Sequence, residues 1–367
     1  MRRTRGRRRL VRGVLVAVAL AAAATVLAAE PAGAHGLGGL QPTNYESRLT
    51  QVSPPVGGLH VHLTDLGTKV QLTNDARHDV IVLGYSGEPY LRIGPRGVFE
   101  NTRSPAVTIN RSATNPGAPP KSADATAPPT WRKVSSGRTA SWHDHRAHFM
   151  GTSDPPLIER NRDRRLVFDH WSIPLRVGGR DVAVDGIIAY VPPPSPWPYV
   201  IGALVLAVGL FAACRTRRWA AWMAGALAFT TVAETLHVVG LWGASTASTG
   251  TKLLESLYSL GGIALGVLAL VWMARRRAEA AIPLVLIASI VLVVAGGLAD
   301  ITTIGRSQLP TTLPAGLARL LVTVTLGLGV GLVAAALARL RVASPGRPAR
   351  GRVSTRPSPH ADAPVSA

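Results

Sequence analysis

Five apolar segments, each close to the ~20 residues that a helix needs to cross a bilayer, constrain this chain more than any other feature. The segments predict a five-helix transmembrane domain over residues 197–341, followed by a disordered basic tail over 342–367. Their approximate positions are 197–214, 219–241, 253–274, 280–300 and 315–338.

The distribution of arginine predicts the orientation of these segments. Arginines are clustered at 215–218, at 275–277 and in the tail, whereas the loops 242–252 and 301–314 carry one basic residue each. Because basic residues are retained on the cytoplasmic side, both loops and everything before residue 197 are predicted to lie outside. The expected localisation is the cell membrane, with membrane lipid as a partner and the C-terminus in the cytoplasm.

Residues 1–34 have the three parts of a secretory signal peptide. A basic start precedes an apolar core over 14–29, and Ala32, Gly33 and Ala34 supply small residues at the cleavage positions. Cleavage after Ala34 would make His35 the first residue of the mature chain. The alternative is an uncleaved anchor helix.

Residues 35–196 show a different pattern, which predicts an extracytoplasmic β-sandwich. Short valine- and isoleucine-rich runs are separated by turn residues, as is typical of strands. A Pro-, Ala- and Ser-rich stretch at 102–130 is expected to form a long loop. The predicted strands are Leu59–Thr64, Lys69–Thr73, Val80–Tyr85, Val98–Glu100, Leu166–Val177 and Val182–Val191.

Charge and cysteine content exclude two classes of function. The net charge of +20 comes from basic clusters that flank apolar segments, so it indicates membrane topology and no nucleic-acid partner. The single cysteine, Cys214, excludes an intrachain disulfide and a cysteine-rich metal site. Arginine greatly exceeds lysine, and alanine, glycine and proline are abundant, which suggests a bacterium with a GC-rich genome.

The sequence WHDHRAHFM at 142–150 is the densest cluster of metal-ligating residues. On a strand, His143 and His145 would point to the same side, and His148 and Met150 could join them from a following turn. Imidazole combined with a thioether suits copper, because soft sulfur favours Cu(I). The alternative is a structural motif in which Asp144 and Arg146 pair with fixed partners.

His35 would add a chelating pair to such a site. A free N-terminal histidine offers its amine together with a ring nitrogen. That arrangement resembles the histidine brace of copper-resistance periplasmic proteins and copper-dependent monooxygenases.

A second candidate site lies in the membrane. Glu234 and His237 are three residues apart and share one helix face. Glu255 begins the third segment and Asp300 ends the fourth, so topology places all four toward the outer leaflet. Ionisable groups at that depth are costly and usually functional, which suggests a cation site or a proton relay. The alternative is helix packing, with Asp300 paired to Arg319 and Glu234 paired to His237.

Several stretches together resemble a group of actinobacterial membrane proteins. They are 35–39 (HGLGG), 86–92 (SGEPYLR), 100–101 (EN) with 104–106 (SPA), 142–146 (WHDHR) and 192–197 (PPPSPW). The resemblance implies a signal peptide, a secreted β-rich domain and a C-terminal helix bundle. It implies no activity.

Three hypotheses for function follow. The first is an extracytoplasmic copper-binding protein for capture, transfer or homeostasis, partnered by a copper chaperone or envelope protein. The second is an envelope scaffold with structural histidines, and the third is a copper-dependent oxidoreductase. The absence of phosphate-loop, nucleophile-elbow, His-Glu-x-x-His and Cys-x-x-Cys motifs favours a non-enzymatic role.

The charge pattern makes a topology prediction. Reporter fusions after Ser245 and after Ser344 should report opposite sides of the membrane, because the first lies in an outer loop and the second lies in the basic tail. Reporters that place both positions on one side would contradict five crossings.

Overall fold

The structure, a computed structural model, describes residues 39–111, 117–275 and 278–342. An antiparallel β region comes first and helices follow. The strands are β1 (Tyr45–Ser53), β2 (Leu59–Thr64), β3 (Lys69–Asn74), β4 (Val80–Leu83), β5 (Pro89–Gly94), β6 (Gly97–Asn101), β7 (Trp131–Ser135), β8 (Thr139–His143), β9 (Leu166–Val177) and β10 (Arg180–Tyr190). The helices are α1 (Ala106–Ile109), α2 (Pro156–Glu159), α3 (Trp197–Ala213), α4 (Trp219–Ala244), α5 (Thr249–Glu255), α6 (Leu257–Ala274), α7 (Ala278–Leu292) and α8 (Ala315–Val342).

Two antiparallel sheets form the β region and share one core. The larger has the order β1-β10-β9-β4-β5-β6-β7, and the smaller has the order β2-β3-β8. Ile93 and Ile173 from the larger sheet and Leu72 from the smaller one belong to the same buried cluster. Two sheets facing each other across a common core fit the sandwich that the sequence predicts.

The alternation of apolar residues explains which strands the sequence revealed. In β9, Trp171, Ile173, Leu175 and Val177 are buried and their neighbours are exposed, which is the period-two pattern of a strand with one buried face. The predicted ranges of β2 and β9 match the structure residue for residue. The strands β1, β5, β7 and β8 were not predicted, because polar, glycine and proline residues interrupt their patterns.

Four helices are long and apolar enough to cross a membrane. They are α4, α6, α8 and a 28-residue stretch, Ala278–Gly305, that begins with α7. That stretch continues through a π-helical turn at Val293–Leu298 and a 3₁₀ turn at Ile301–Gly305. The predicted first span corresponds to α3, a shorter apolar helix of 17 residues.

Helix α3 packs closely against α8 through two glycines. A Cβ atom on Gly327 would lie 2.6 Å from the Ala203 carbonyl oxygen, and one on Gly331 would lie 2.9 Å from the Ala207 carbonyl oxygen. Glycines four residues apart let two helix backbones approach, which is a common interface in membranes. The short helix α3 is therefore an integral part of the bundle.

The β region docks onto the helices through a strained turn. Asp65 and Leu66 have φ values of 52° and 56°, in the left-handed region that ordinary residues avoid. The buried Asp65 carboxylate accepts hydrogen bonds from the Thr246 backbone N–H at 2.9 Å and from its hydroxyl at 2.7 Å. Lys69 Nζ lies 2.7 Å from the same carboxylate. These contacts hold the turn against the α4–α5 loop.

A second contact joins the start of β1 to the loop before α8. Thr43 and Gln308 form two backbone hydrogen bonds, at 3.0 and 2.8 Å. The Asn44 side-chain oxygen accepts a bond of 3.0 Å from the Ser307 backbone N–H. Both loops that the sequence predicts to lie outside therefore touch the β region. The predicted signal peptide, His35 and the tail beyond Val342 lie outside the described residues.

The α3–α8 contact yields a stability prediction. Gly327→Leu should lower the free energy of unfolding by about 1–3 kcal/mol, because the new side chain meets the α3 backbone. Thermal unfolding in detergent, followed by circular dichroism, measures the change. Gly209→Leu is the matched control, since a Cβ at Gly209 meets nothing within 4 Å. Equal melting temperatures for the two variants would contradict close packing of α3 on α8.

Candidate metal-binding turn and buried membrane acids

The turn after β8 is built around the buried carboxylate of Asp144. Trp142 Nε1 donates to Asp144 Oδ2 at 3.0 Å, and Arg146 donates to both carboxylate oxygens at 2.8 Å. The Arg146 guanidinium also lies 4.8 Å from the centre of the Tyr85 ring. Asp144 and Arg146 thus have the structural role that the sequence alternative assigned to them.

The predicted arrangement of His143 and His145 on one strand face is wrong. Strand β8 ends at His143, and the chain turns at Asp144. The Asp144 side chain accepts from the Arg146 backbone N–H at 3.2 Å, and its carbonyl accepts from the Ala147 N–H at 3.0 Å. A side chain that bonds its own following backbone competes with strand pairing, which ends the strand here.

His145 and Met150 face each other across this turn. His145 Nδ1 lies 3.1 Å from the Met150 sulfur, and His145 Nε2 lies 2.9 Å from the Ile109 carbonyl oxygen. A carbonyl can only accept, so Nε2 carries the hydrogen. In the neutral ring, Nδ1 then presents its lone pair to the thioether. Met150 is 38% exposed, so solutes can reach this pair.

The other two histidines of the cluster are oriented by backbone carbonyls in the same way. His148 Nδ1 lies 3.0 Å from the Asp144 carbonyl oxygen, and His143 Nδ1 lies 3.3 Å from that of Thr68. In each ring the lone pair therefore belongs to Nε2. The ring centroids of His145 and His148 are 5.5 Å apart. His145, His148 and Met150 form one group, and His143 lies beside the docking turn.

Residues far away in sequence complete the surroundings of His145. The Tyr85 hydroxyl accepts from the His145 backbone N–H at 3.0 Å and donates to the Asn110 side-chain oxygen. Burial raises the pKa of Tyr85 above its ordinary value, which keeps this donor protonated. Nearby, buried Glu88 accepts from Ser104 at 2.7 Å. No pattern in the sequence marks Tyr85 or Asn110 as part of this site, because only the fold brings them beside His145.

Phe149 anchors the turn in the core. Its ring stacks on Tyr45 with centroids 3.9 Å apart, and it meets Phe168 edge-on at 5.7 Å. Tyr45 follows His35 by ten residues. The start of β1 therefore packs beside the turn.

His143 is held neutral by its surroundings. Burial, together with the positive charge of Lys69, lowers the pKa of His143 to about 4. Asp65 opposes this effect, but it is already paired with Lys69. The ring keeps a lone pair over the whole neutral range.

The four residues of the predicted membrane site comprise a buried group and one exposed residue. Glu234 and His237 are 1% and 3% exposed. His237 Nε2 lies 3.1 Å from Asp300 Oδ2. Asp300 thus pairs with His237 and not with Arg319 as the packing alternative supposed; the Arg319 guanidinium donates to the Arg306 carbonyl at 2.7 Å. Glu255 is exposed at the end of α5, outside this buried group.

Within residues 39–111, 117–275 and 278–342, no three or more His, Cys, Asp or Glu side chains are arranged to hold a metal ion. Comparisons with protein-family models, with curated proteins and with solved structures found no match to this chain. The case for function therefore depends on the geometry of these two groups.

The lowered pKa of His143 predicts acid sensitivity. As pH falls from about 6.5 to about 4, the unfolded chain takes up a proton at this ring while the folded protein does not, so stability falls in that window. Melting temperatures at pH 7, 5.5 and 4 should drop less for His143→Gln than for the parent. The matched control, His62→Gln, removes an exposed ring and should follow the parent. Parallel curves for parent and His143→Gln would contradict the prediction.

Proposed function

We propose that this protein is a membrane-held, extracytoplasmic metal-binding protein that captures copper for transfer or homeostasis. One observation supports this most strongly: His145 Nδ1 and the Met150 sulfur face each other at 3.1 Å, and the Ile109 carbonyl holds the ring hydrogen on the opposite nitrogen. The lone pairs of His145 Nδ1 and the Met150 sulfur do not stabilise each other. A cation coordinated by both atoms would be stabilised by the two lone pairs together.

The carbonyl contacts strengthen this argument. Metal-binding histidines nearly always donate their other ring N–H to a carbonyl or carboxylate, which orients the ring and raises its basicity. His143, His145 and His148 each have such a partner. The arrangement fits rings prepared for coordination.

Copper(I) is the ion that this donor set favours. Imidazole nitrogen with a thioether is a soft combination, whereas zinc sites are usually built from imidazole, thiolate and carboxylate. His35 is the natural further donor, through its amine and ring, if the signal peptide is removed after Ala34. A copper chaperone or another envelope protein would be the exchange partner.

Topology completes the proposal. The short helix α3 would be the fifth span, and the positive-inside rule would then put the β region and both contacting loops outside the cell and the C-terminus inside. This architecture agrees with the expected resemblance to actinobacterial membrane proteins. The turn at 142–150 would then be exposed to the extracytoplasmic space, where a capture site is useful.

Removal of the thioether tests the proposal. Met150→Leu keeps the volume of the side chain but loses the sulfur, so Cu(I) affinity of the full-length protein should fall at least about tenfold. His145→Ala should have a similar effect. Competition with a coloured Cu(I) chelator under anaerobic conditions measures the affinity. Met273→Leu and His170→Ala are matched controls, a buried methionine of the helical region and an exposed histidine, and should bind like the parent.

The same titration separates the competing functions. If Met150→Leu and His145→Ala bind copper as well as the parent, the cluster is structural and the scaffold hypothesis gains support. The network around Asp144 is the specific observation in favour of that alternative. Oxidase or monooxygenase activity of a copper-loaded parent would favour the oxidoreductase.

An insertion tests the contribution of His35. One residue added between Ala34 and His35 displaces the terminal amine and keeps every side chain, so it should weaken binding. Mass spectrometry of the mature chain must first show a start at His35. A different start, or unchanged affinity, would remove His35 from the site and leave the His145–Met150 pair.

A further inference from the structure

Glu234 is a buried acid without a partner of its own. Its side chain is 1% exposed, and neither carboxyl oxygen has a hydrogen-bond partner among the described residues. The Ser259 hydroxyl of α6 is close without completing a hydrogen bond. Glu234 lies ten residues before the end of α4, which is about 15 Å along the helix axis and so near mid-membrane.

An irregular helical turn makes the space for this carboxyl group. Residues 293–298 form a π-helical turn, in which the Ala299 N–H donates to the Val294 carbonyl at 3.1 Å. Gly296 in this turn faces Glu234, and a Cβ there would overlap the carboxyl group. π-helical turns are rare and are frequently found at functional sites. The backbone of this turn therefore leaves room for the carboxyl group of Glu234.

Two further groups connect Glu234 to the side of the β region. His237 is one helical turn closer to that side, and its Nε2 atom lies 3.1 Å from Asp300 Oδ2. The His237 side chain is 4% exposed and the Asp300 side chain is 21% exposed. Exposure thus rises stepwise from Glu234 through His237 to Asp300. The loop that follows Asp300 contacts Asn44 of the β region.

Charge balance decides what the acid can bind. His237 and Asp300 are the charged groups that interact with Glu234, and they already form a pair with each other. Arg319 is directed to the Arg306 carbonyl and does not neutralise the acid. A carboxylate without a cationic partner is costly in an apolar interior, so a bound proton stabilises this group.

We propose that Glu234 is a proton-binding site within the membrane, reached from the side of the β region through Asp300 and His237. A proton needs one carboxyl group with exchangeable groups near it; Glu234 is that carboxyl group, and His237 and Asp300 both interact with it. A metal ion would need several ligands around Glu234, and the described residues offer no such set. The proposal is independent of the copper site in the β region.

A hydrophobic carbodiimide tests the proposal on the full-length protein. Dicyclohexylcarbodiimide reacts with carboxyl groups that are protonated in an apolar environment, because the acid O–H adds across its C=N bond. The protein is reconstituted in liposomes, and mass spectrometry locates the label. We expect label on Glu234 at neutral pH, decreasing about tenfold per pH unit once the pH of the β-region side exceeds the midpoint. Glu255→Gln should label at Glu234 like the parent.

A variant at His237 distinguishes the access of protons to Glu234 from the binding of a proton by Glu234. His237→Gln should still label at Glu234, but its labelling should no longer follow the pH on the β-region side. Absence of label on Glu234 in the folded parent would overturn the proposal. Protection of Glu234 by added Cu(I) at constant pH would also overturn it, in favour of a metal site. Because the parent itself reports the label, the result does not depend on Glu234→Gln being able to fold.

Discussion

The buried carboxylate of Asp65 holds the two halves of the molecule in a fixed relation, and the candidate site depends on it. Its backbone is strained, with φ at 52°, and this strain persists because the carboxylate binds Thr246 of the α4–α5 loop and pairs with Lys69. Lys69 is paired in register with His143 on the neighbouring strand, and the Thr68 carbonyl holds the His143 ring. The turn that joins the β region to the apolar helices thus also positions His143.

Side-chain periodicity and apolar length explain what the sequence could reveal. The sequence reveals strand β9 because alternate residues in its second half face the core, and it reveals α4 because the run that begins at Trp219 is long and mostly apolar. Strand β1 was missed because only Tyr45 of its nine residues is buried, so no alternation is visible. The partners of His145 could not be found either: Tyr85 and Ile109 are 60 and 36 residues away and reach it only through folding. The sequence identifies which types of residue can bind a metal, but it does not show how their side chains are oriented.

The WHDHR motif combines two roles that a sequence pattern cannot separate. Asp144 and Arg146 form a buried ion pair with 2.8 Å contacts, and removing one partner would leave an unpaired charge in the interior. The role of this ion pair is to fix the conformation of the turn. This turn holds the His145 ring against the Ile109 carbonyl. As a result Nδ1, the ring nitrogen that carries the lone pair, faces the Met150 sulfur. A rigid, charge-paired turn is therefore compatible with metal binding and is what a preorganised site needs.

The two candidate sites share one constraint, which is the cost of placing polar groups where water is scarce. In the β region this cost is met locally, because each histidine of the turn bonds a backbone carbonyl. Among the apolar helices it is met only in part: the carboxyl oxygens of Glu234 and both ring nitrogens of His237 have no well-aligned hydrogen-bond partner among the described residues, although His237 Nε2 lies 3.1 Å from Asp300 Oδ2. The glycine and the π-helical turn opposite this buried acid lower the stability of the fold at that point. An apolar side chain at position 234 would pack at lower cost, which supports the proton-binding role proposed for Glu234.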